Sequence, residues 1–345
     1  MGLYDDRTRT SDGKTEIPVW FMRQAGRYHV HYQAIRKNHD FITMCKTPEL
    51  ACEITMGPID AFDFDGAILF SDLLFPLEQL GLGLQYSPGP KLGFNLEDQA
   101  SFERLDLSKN AREFYHFQKL ACELLREKLP QSKSLLGFAG APFTLFTYAA
   151  CGSHAGNLIP AKSGLYDGRY QKFVDILLPE VLTEMIVQAE GGADGVCLFD
   201  TAAGELCFSD FNKFVVPHIK WLAEEFKKVQ PHKKVTYYAK YAPLSYFKAI
   251  ESDHIDVIGV DWRVDMAQAL KELGPDYYVQ GNIDPTWLHL PWDTLEKLMG
   301  EYWNRLQNAP NLNHWIAGLG HGVTVGTPQD HVKKAVKFIH DNFRY

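Results

Sequence analysis

The chain has no long hydrophobic run. No stretch approaches the roughly 20 apolar residues of a membrane helix, and residues 1–16 are polar, without the apolar core of a signal peptide. A cytoplasmic protein with no membrane partner is therefore expected. Cysteine is sparse: six residues in 345, none in a Cys-x-x-Cys pair. Neither a disulfide framework nor a cysteine-rich zinc site is expected, and the thiols should be reduced. His29-Val30-His31 has no Cys or carboxylate at a spacing that completes a metal site, so no metal is expected either. Basic excess is also missing. The formal net charge is -8, which argues against nucleic acid as a partner. No Pro/Ser/Gly-rich linker or low-complexity run divides the chain.

What is present is an alternation that runs the whole length. Short β-branched or aromatic runs recur at 17–22, 67–70, 135–139, 196–199, 235–239, 257–260, 277–280 and 315–319, and amphipathic helical stretches separate most of them. Near-continuous apolar strands belong in a parallel sheet covered on both faces, with helices as the crossovers. Eight such strands close a (β/α)8 TIM barrel. The expected fold is thus α/β: a polar tail at 1–16 followed by a single TIM-barrel domain at 17–345. Helix punctuation agrees. Thr47-Pro48 and Thr327-Pro328 each place a capping hydroxyl before a proline. They precede helically spaced apolar residues, Leu50 and Ile54 in one case and Val332, Val336 and Ile339 in the other. Pro179 is expected to divide the long apolar pattern at 170–188 into two helices.

Within this alternation, Trp20-Phe21-Met22-Arg23-Gln24-Ala25-Gly26-Arg27-Tyr28 is the most informative stretch. Two arginines four apart, with Ala25 and Gly26 between them, carry two planar guanidinium forks suited to carboxylate or phosphate. Two arginines on a solvated turn are the plainer reading. Barrel active sites lie where strands end, and there the chain offers Arg23 and Arg27, Ser71-Asp72, Thr144 leading to Tyr148, Asp200-Thr201, Asp261-Trp262-Arg263, Asn282 and Asp284, and Gly320-His321-Gly322.

The stretch 18–28, together with Ala67-Ile68-Leu69-Phe70-Ser71-Asp72, Gly137-Phe138-Ala139-Gly140-Ala141-Pro142-Phe143-Thr144, Gln280-Gly281-Asn282-Ile283-Asp284-Pro285 and Gly320-His321-Gly322, resembles the signature blocks of the uroporphyrinogen decarboxylase family. The resemblance implies a cofactor-free TIM-barrel lyase of haem and related tetrapyrrole synthesis, a homodimer, that takes four acetate side chains of uroporphyrinogen III to methyl groups. It places substrate contacts at Arg23, Gln24, Ala25, Gly26, Arg27, Asp72, Tyr148, Thr201 and His321. It places apolar lining at Met22, Phe41, Ile68, Phe138 and Phe199. The chain departs from the family pattern at His29 to His31, at Thr201 and Cys197, and at Arg263, whose charge has no evident role.

The chemistry suits these residue types. Losing carbon dioxide from an acetate on a pyrrole needs a place for the bond electrons, and protonating the neighbouring ring carbon supplies one as an azafulvenium-like cation. Asp72 is the candidate to stabilise that cation; a loop-ordering or helix-capping carboxylate is the alternative. Arg23 and Arg27 bind substrate carboxylates, and one of them is the weaker candidate for proton delivery because a guanidinium is a poor acid. Two rival readings exist. A corrinoid-dependent methyltransferase on a related barrel would carry a His-x-Cys pair, and none of the 13 histidines is followed by Cys at the second position. A silent tetrapyrrole-binding relative would keep the fold and the grip.

Overall fold

The computed structural model describes residues 2–4, 13–87 and 89–345; of the expected polar tail, residues 1 and 5–12 lie outside the described residues. In chain order the strands are β1 (Gly66–Ile68), β2 (Gln85–Tyr86), β3 (Pro90–Lys91), β4 (Ser134–Gly140), β5 (Gly195–Asp200), β6 (Lys234–Ala239), β7 (Val257–Gly259), β8 (Tyr278–Ile283) and β9 (Trp315–Leu319). β2 and β3 form a small antiparallel pair; the other seven are parallel-sheet strands. β1, β4, β5, β7 and β9 are buried at every residue, as strands covered on both faces should be.

The chain divides into two compact units. The first holds the described residues through Phe70, with Ala121–Leu136 and Asp256–Tyr345. In it β1 pairs with the start of β4, Ala67 opposite Leu135; β7 pairs with β8, and β8 with β9, Gln280 opposite Ile316. The expected strand at 17–22 is reduced to a single parallel bridge, Val19 to Ala317. The Ala317 N–H donates to the Pro18 carbonyl at 2.8 Å and the Trp20 N–H to the Ala317 carbonyl at 3.2 Å. On the other edge the Asp65 N–H donates to the Val19 carbonyl at 2.9 Å. The Val19 N–H, however, is taken by the Asp65 carboxylate at 2.8 Å. Pro18 has no N–H and Val19 spends its own on a side chain, so the ladder cannot extend.

The second unit holds Ser71–Leu120 and Gly137–Ile255. Here β5 pairs with β6, Val196 opposite Val235, and the Ala141 N–H after β4 donates to the Phe199 carbonyl at 3.0 Å. In each unit spatial order follows chain order. This is the expected α/β, (β/α)8-type arrangement, with seven regular strands and one bridge in place of eight strands.

Helix ends depart from expectation in three places. Thr47 does stand at the N-cap of helix Pro48–Phe62, but its side chain makes no capping bond. Helix Gln329–Asn342 starts after Pro328, and the Thr327 hydroxyl lies 3.1 Å from His289 Nε2 instead. Pro179 does not divide its segment: Arg169–Glu190 is one helix of 22 residues. Leu177 and Val181 on either side of it are fully buried, and packing of both halves outweighs the one lost backbone bond.

Candidate functional site

In the first unit the chain leaves its bridge at Val19 and turns sharply. The Gln24 N–H donates back to the Phe21 carbonyl at 3.2 Å, the His29 N–H to Gly26 at 2.9 Å, and Arg23 adopts the left-handed conformation with φ 58. That conformation is costly for a residue with a Cβ. The neighbouring side chains hold the turn. Gln24 is fully buried; its Nε2 donates to the Gly66 carbonyl at 3.0 Å and its Oε1 accepts from the Ile68 N–H at 3.4 Å, so the amide pairs with β1. The buried Tyr28 hydroxyl donates to the Gln24 carbonyl at 2.6 Å, and burial pushes its pKa well up, which keeps it a neutral donor.

This scaffold exposes Arg23 and Arg27. Among the described residues neither guanidinium has a hydrogen-bond or ion-pair partner. The segment after β9 packs onto the first of them: a Cβ on Gly322 would meet Arg23 Cδ at 2.4 Å, and the Val323 N–H donates to the Met22 carbonyl at 2.9 Å. Only a glycine admits the arginine stem this closely. His321 is therefore brought beside Arg23; it is half-buried, and its Nδ1 accepts the Gly322 N–H at 2.6 Å. Met22 and Ile68 are 6% and 8% exposed. Phe41, with ring centroids 5.8 Å from Phe70, belongs to a small apolar cluster with Tyr32, Met44 and Ile54. Ala25 and Gly26 complete the turn at intermediate burial.

Other strand-end groups in this unit have structural partners. The Asn282 amide donates to the carbonyls of Asp261 and Val264, and the Tyr302 hydroxyl donates to it at 2.8 Å. Asp284 accepts from the Thr286 N–H at 2.9 Å. Arg263 pairs with the buried Asp261 carboxylate at 3.0 Å and lies over the Trp262 ring, 4.5 Å from its centroid. Its charge is thus already partly answered. His29 is buried against Phe62, centroids 4.9 Å apart, and burial, aided by His31, lowers its pKa to about 4.

In the second unit Asp72 follows Ser71 and is half-buried. Its Oδ1 accepts the Leu74 N–H at 2.8 Å, so the loop-ordering role is present whatever else the carboxylate does. Thr201, 9% exposed, is fixed by its neighbours. The Thr144 hydroxyl donates to Asp200 Oδ1 at 2.6 Å and accepts the Ala202 N–H at 3.0 Å, while the Tyr237 hydroxyl donates to Asp200 Oδ2 at 3.1 Å. Burial raises the Asp200 pKa to about 6, against those hydrogen bonds. Tyr148 meets His154 Nδ1 at 2.5 Å. Phe138 and Phe199, both nearly buried, face each other at 5.6 Å between centroids.

One polar assembly was not anticipated from the sequence. Gln118, Glu184 and Gln188 are all fully buried in the second unit, and Gln118 is hydrogen-bonded to both of the others. Glu184 and Gln188 lie four apart, in register with the buried Leu177 and Val181, on a helix face otherwise apolar. Polar residues in an apolar stripe are the signal that would have found them.

The comparisons with known proteins point one way. The uroporphyrinogen decarboxylase (URO-D) family model matches residues 9–342. The uroporphyrinogen decarboxylase of Roseiflexus sp. (strain RS-1) is 36% identical over 332 residues, covering 94% of each chain. That of Geobacter metallireducens is 35% identical over 325 residues, again 94% of each. Among solved structures, a methyltransferase from Methanosarcina mazei superposes with a TM-score of 0.70 over 95% of this chain and 94% of its own, at 15% identity. That likeness shows a shared fold alone. With its signature turn, its strand-end residues and its nearly full-length match to these relatives, the chain belongs to the uroporphyrinogen decarboxylase family.

Proposed function

We propose that this chain is a carboxy-lyase that converts the four acetate side chains of uroporphyrinogen III to methyl groups, giving coproporphyrinogen III in haem and related tetrapyrrole synthesis. The observation that carries the reading is the exposed Arg23 and Arg27 pair, without anionic partners among the described residues, in the stretch that bears the family resemblance. Guanidiniums held ready on a strained, hydrogen-bonded turn suit a ligand rich in carboxylates. His321, next in the chain to the Gly322 that packs on the Arg23 stem, adds an imidazole donor. The net charge of -8 would repel a polyanion at long range, so local focusing by these cations has to supply the attraction.

At each acetate, a proton adds to the ring carbon, the carbon–carbon bond breaks toward the ring as carbon dioxide leaves, a second proton completes the methyl group, and the ring carbon gives up the first proton to restore the pyrrole. Asp72 accepts hydrogen bonds from pyrrole N–H groups and offsets the cation formed in the first step. Arg23, Gln24, Ala25, Gly26, Arg27, Tyr148, Thr201 and His321 bind polar parts of the substrate. Met22, Phe41, Ile68, Phe138 and Phe199 contact the macrocycle. We propose further that residues 17–345 are the catalytic domain, that the enzyme is a cytoplasmic homodimer, and that it needs no cofactor. Among the described residues no helix is long and apolar enough to cross a membrane.

The test is anaerobic incubation of the purified protein with uroporphyrinogen III in the presence of chelator. Formation of coproporphyrinogen III is expected; no product, or product only after a metal is returned, overturns the reading.

A further inference from the structure

We propose that Gln118 is a positioning residue for the Asp72 loop, held in one orientation by the Gln188 amide and the Glu184 carboxyl. The inference rests on the reading of Asp72 as the charge-stabilising group. Both polar atoms of the Gln118 amide are engaged. Its Nε2 donates to Ser71 Oγ at 3.0 Å and to Glu184 Oε1 at 2.8 Å, and its Oε1 accepts from Gln188 Nε2 at 3.0 Å. Gln188 is in turn locked to β4: the Phe138 N–H donates to its Oε1 at 2.7 Å, and its Nε2 donates to the Phe138 carbonyl at 2.8 Å. β4 makes room for this contact, since a Cβ on Gly137 would stand 2.1 Å from Gln188 Oε1. A glycine at that point is what lets the amide reach the strand.

The chain of donors has a direction. Reversing the Gln118 amide would set its NH2 against that of Gln188, whose own orientation is fixed by the Phe138 N–H and carbonyl, so its polarity is fixed. Ser71 Oγ must accept this bond, and Ser71 immediately precedes Asp72. The same network therefore ties Phe138 and the Ser71-Asp72 loop, two places where substrate contacts are expected, to a single buried frame.

Glu184 completes the frame as an acid that burial drives toward its protonated form. Burial raises its pKa well above the carboxylate range, and the negative charges of Asp72 and Glu180 raise it further, against the Gln118 hydrogen bond. Tyr115, also buried, lies in the same electrostatic neighbourhood. A proton on Glu184 makes Oε1 a carbonyl acceptor and adds no second negative charge near Asp72. Its Oε2 and the Tyr115 hydroxyl have no hydrogen-bond partner among the described residues. Leaving buried polar atoms unpaired is unfavourable, and an apolar side chain of similar size would serve the fold better. The arrangement makes sense if the polarity itself is used.

The test compares wild type with Gln118→Leu, Glu184→Leu and Glu184→Gln on uroporphyrinogen III, with folding checked by circular dichroism. Gln118→Leu is expected to lower kcat about 10- to 100-fold, the cost of a small misplacement at a catalytic group, with KM nearly unchanged. Glu184→Leu should behave alike. Glu184→Gln should keep kcat near wild type, because its amide oxygen still accepts from Gln118, and it should lose an infrared band of a protonated buried carboxyl that wild type displays. If the Leu variants do not fold, Gln118→Asn keeps an amide too short to span the network and takes their place. Wild-type kcat in folded Gln118 variants, inactivity of Glu184→Gln, or absence of the infrared band overturns the proposal. An inactive wild type overturns the functional reading instead.

Discussion

Arg23 and Arg27 in the first unit and Glu184 and Asp200 in the second are ionisable groups in opposite settings. The arginines stand in solvent on a turn held by its own backbone hydrogen bonds and by the buried Gln24 and Tyr28 side chains. The two acids are fully buried among neutral donors, Gln118 for one and Thr144 with Tyr237 for the other, and burial drives both toward the protonated form. An exposed charge costs the fold little and stays available; a buried one is neutralised or must be matched by hydrogen bonds. The arginine pair thus presents charge, whereas the two buried acids take part in hydrogen-bonded frames. Asp72 lies between these extremes, half-buried with one oxygen committed to Leu74.

The largest effect is expected where this comparison is least settled. Asp72→Asn keeps the acceptor for the Leu74 N–H but removes the charge, so kcat should fall at least about 10²-fold with little change in melting temperature. Near-normal turnover would leave Asp72 with loop ordering alone.

Next comes a stability test of polar burial. Asp200 has its folded pKa raised to about 6, so the unfolded chain gives up its proton first. Stability should decline as pH rises from about 4 to about 6, by on the order of 3 kcal/mol in all. Asp200→Asn should flatten that decline in urea titrations. His29 in the first unit has the opposite sign. Its folded pKa is lowered to about 4, so its contribution is present above the ordinary histidine pKa and is lost as pH falls toward 4. His29→Phe should remove this acid sensitivity; an unchanged acid limb would mean that His29 is not its source.

Exposed charge is tested by binding. Arg23→Ala and Arg27→Ala should each weaken coproporphyrinogen binding by about 1.5 to 3 kcal/mol, the range for charged hydrogen bonds, and Lys should restore only part of it. Unchanged dissociation constants in both Ala variants would remove the grip. The smallest effect is expected from Arg23→Gly. Glycine relieves the left-handed backbone at the expense of greater freedom in the unfolded chain, so stability should shift by no more than about 1 kcal/mol while affinity drops as in the Ala variant. A large loss of stability would show that the arginine stem against Gly322 matters to the fold.

Much of the architecture was legible in the sequence. Parallel strands buried on both faces are read as continuous apolar runs, and seven of the eight expected runs are strands at nearly the expected positions. The exception, 17–22, has the right composition but lacks a usable hydrogen-bond ladder, because Pro18 has no N–H and Asp65, far along the chain, takes the one on Val19. Pro179 misled for the converse reason: its local preference was outweighed by buried neighbours that only the packed helix supplies.

The site divides in the same way. By itself the sequence determined the arginine pair with its small spacers, Asp72 at a strand end, and the glycines around His321, since these are local patterns of residue type and spacing. Tertiary structure decided what each polar side chain is spent on. It committed Gln24 to β1, paired Arg263 with Asp261, left Arg23 and Arg27 without a hydrogen-bond or ion-pair partner among the described residues, and joined Gln118 to Ser71 and Glu184, 47 and 66 positions away. Hydrogen-bond partners of that separation leave no periodicity in the chain; the fold alone brings them within 3 Å and buries them deeply enough to fix their direction and their charge.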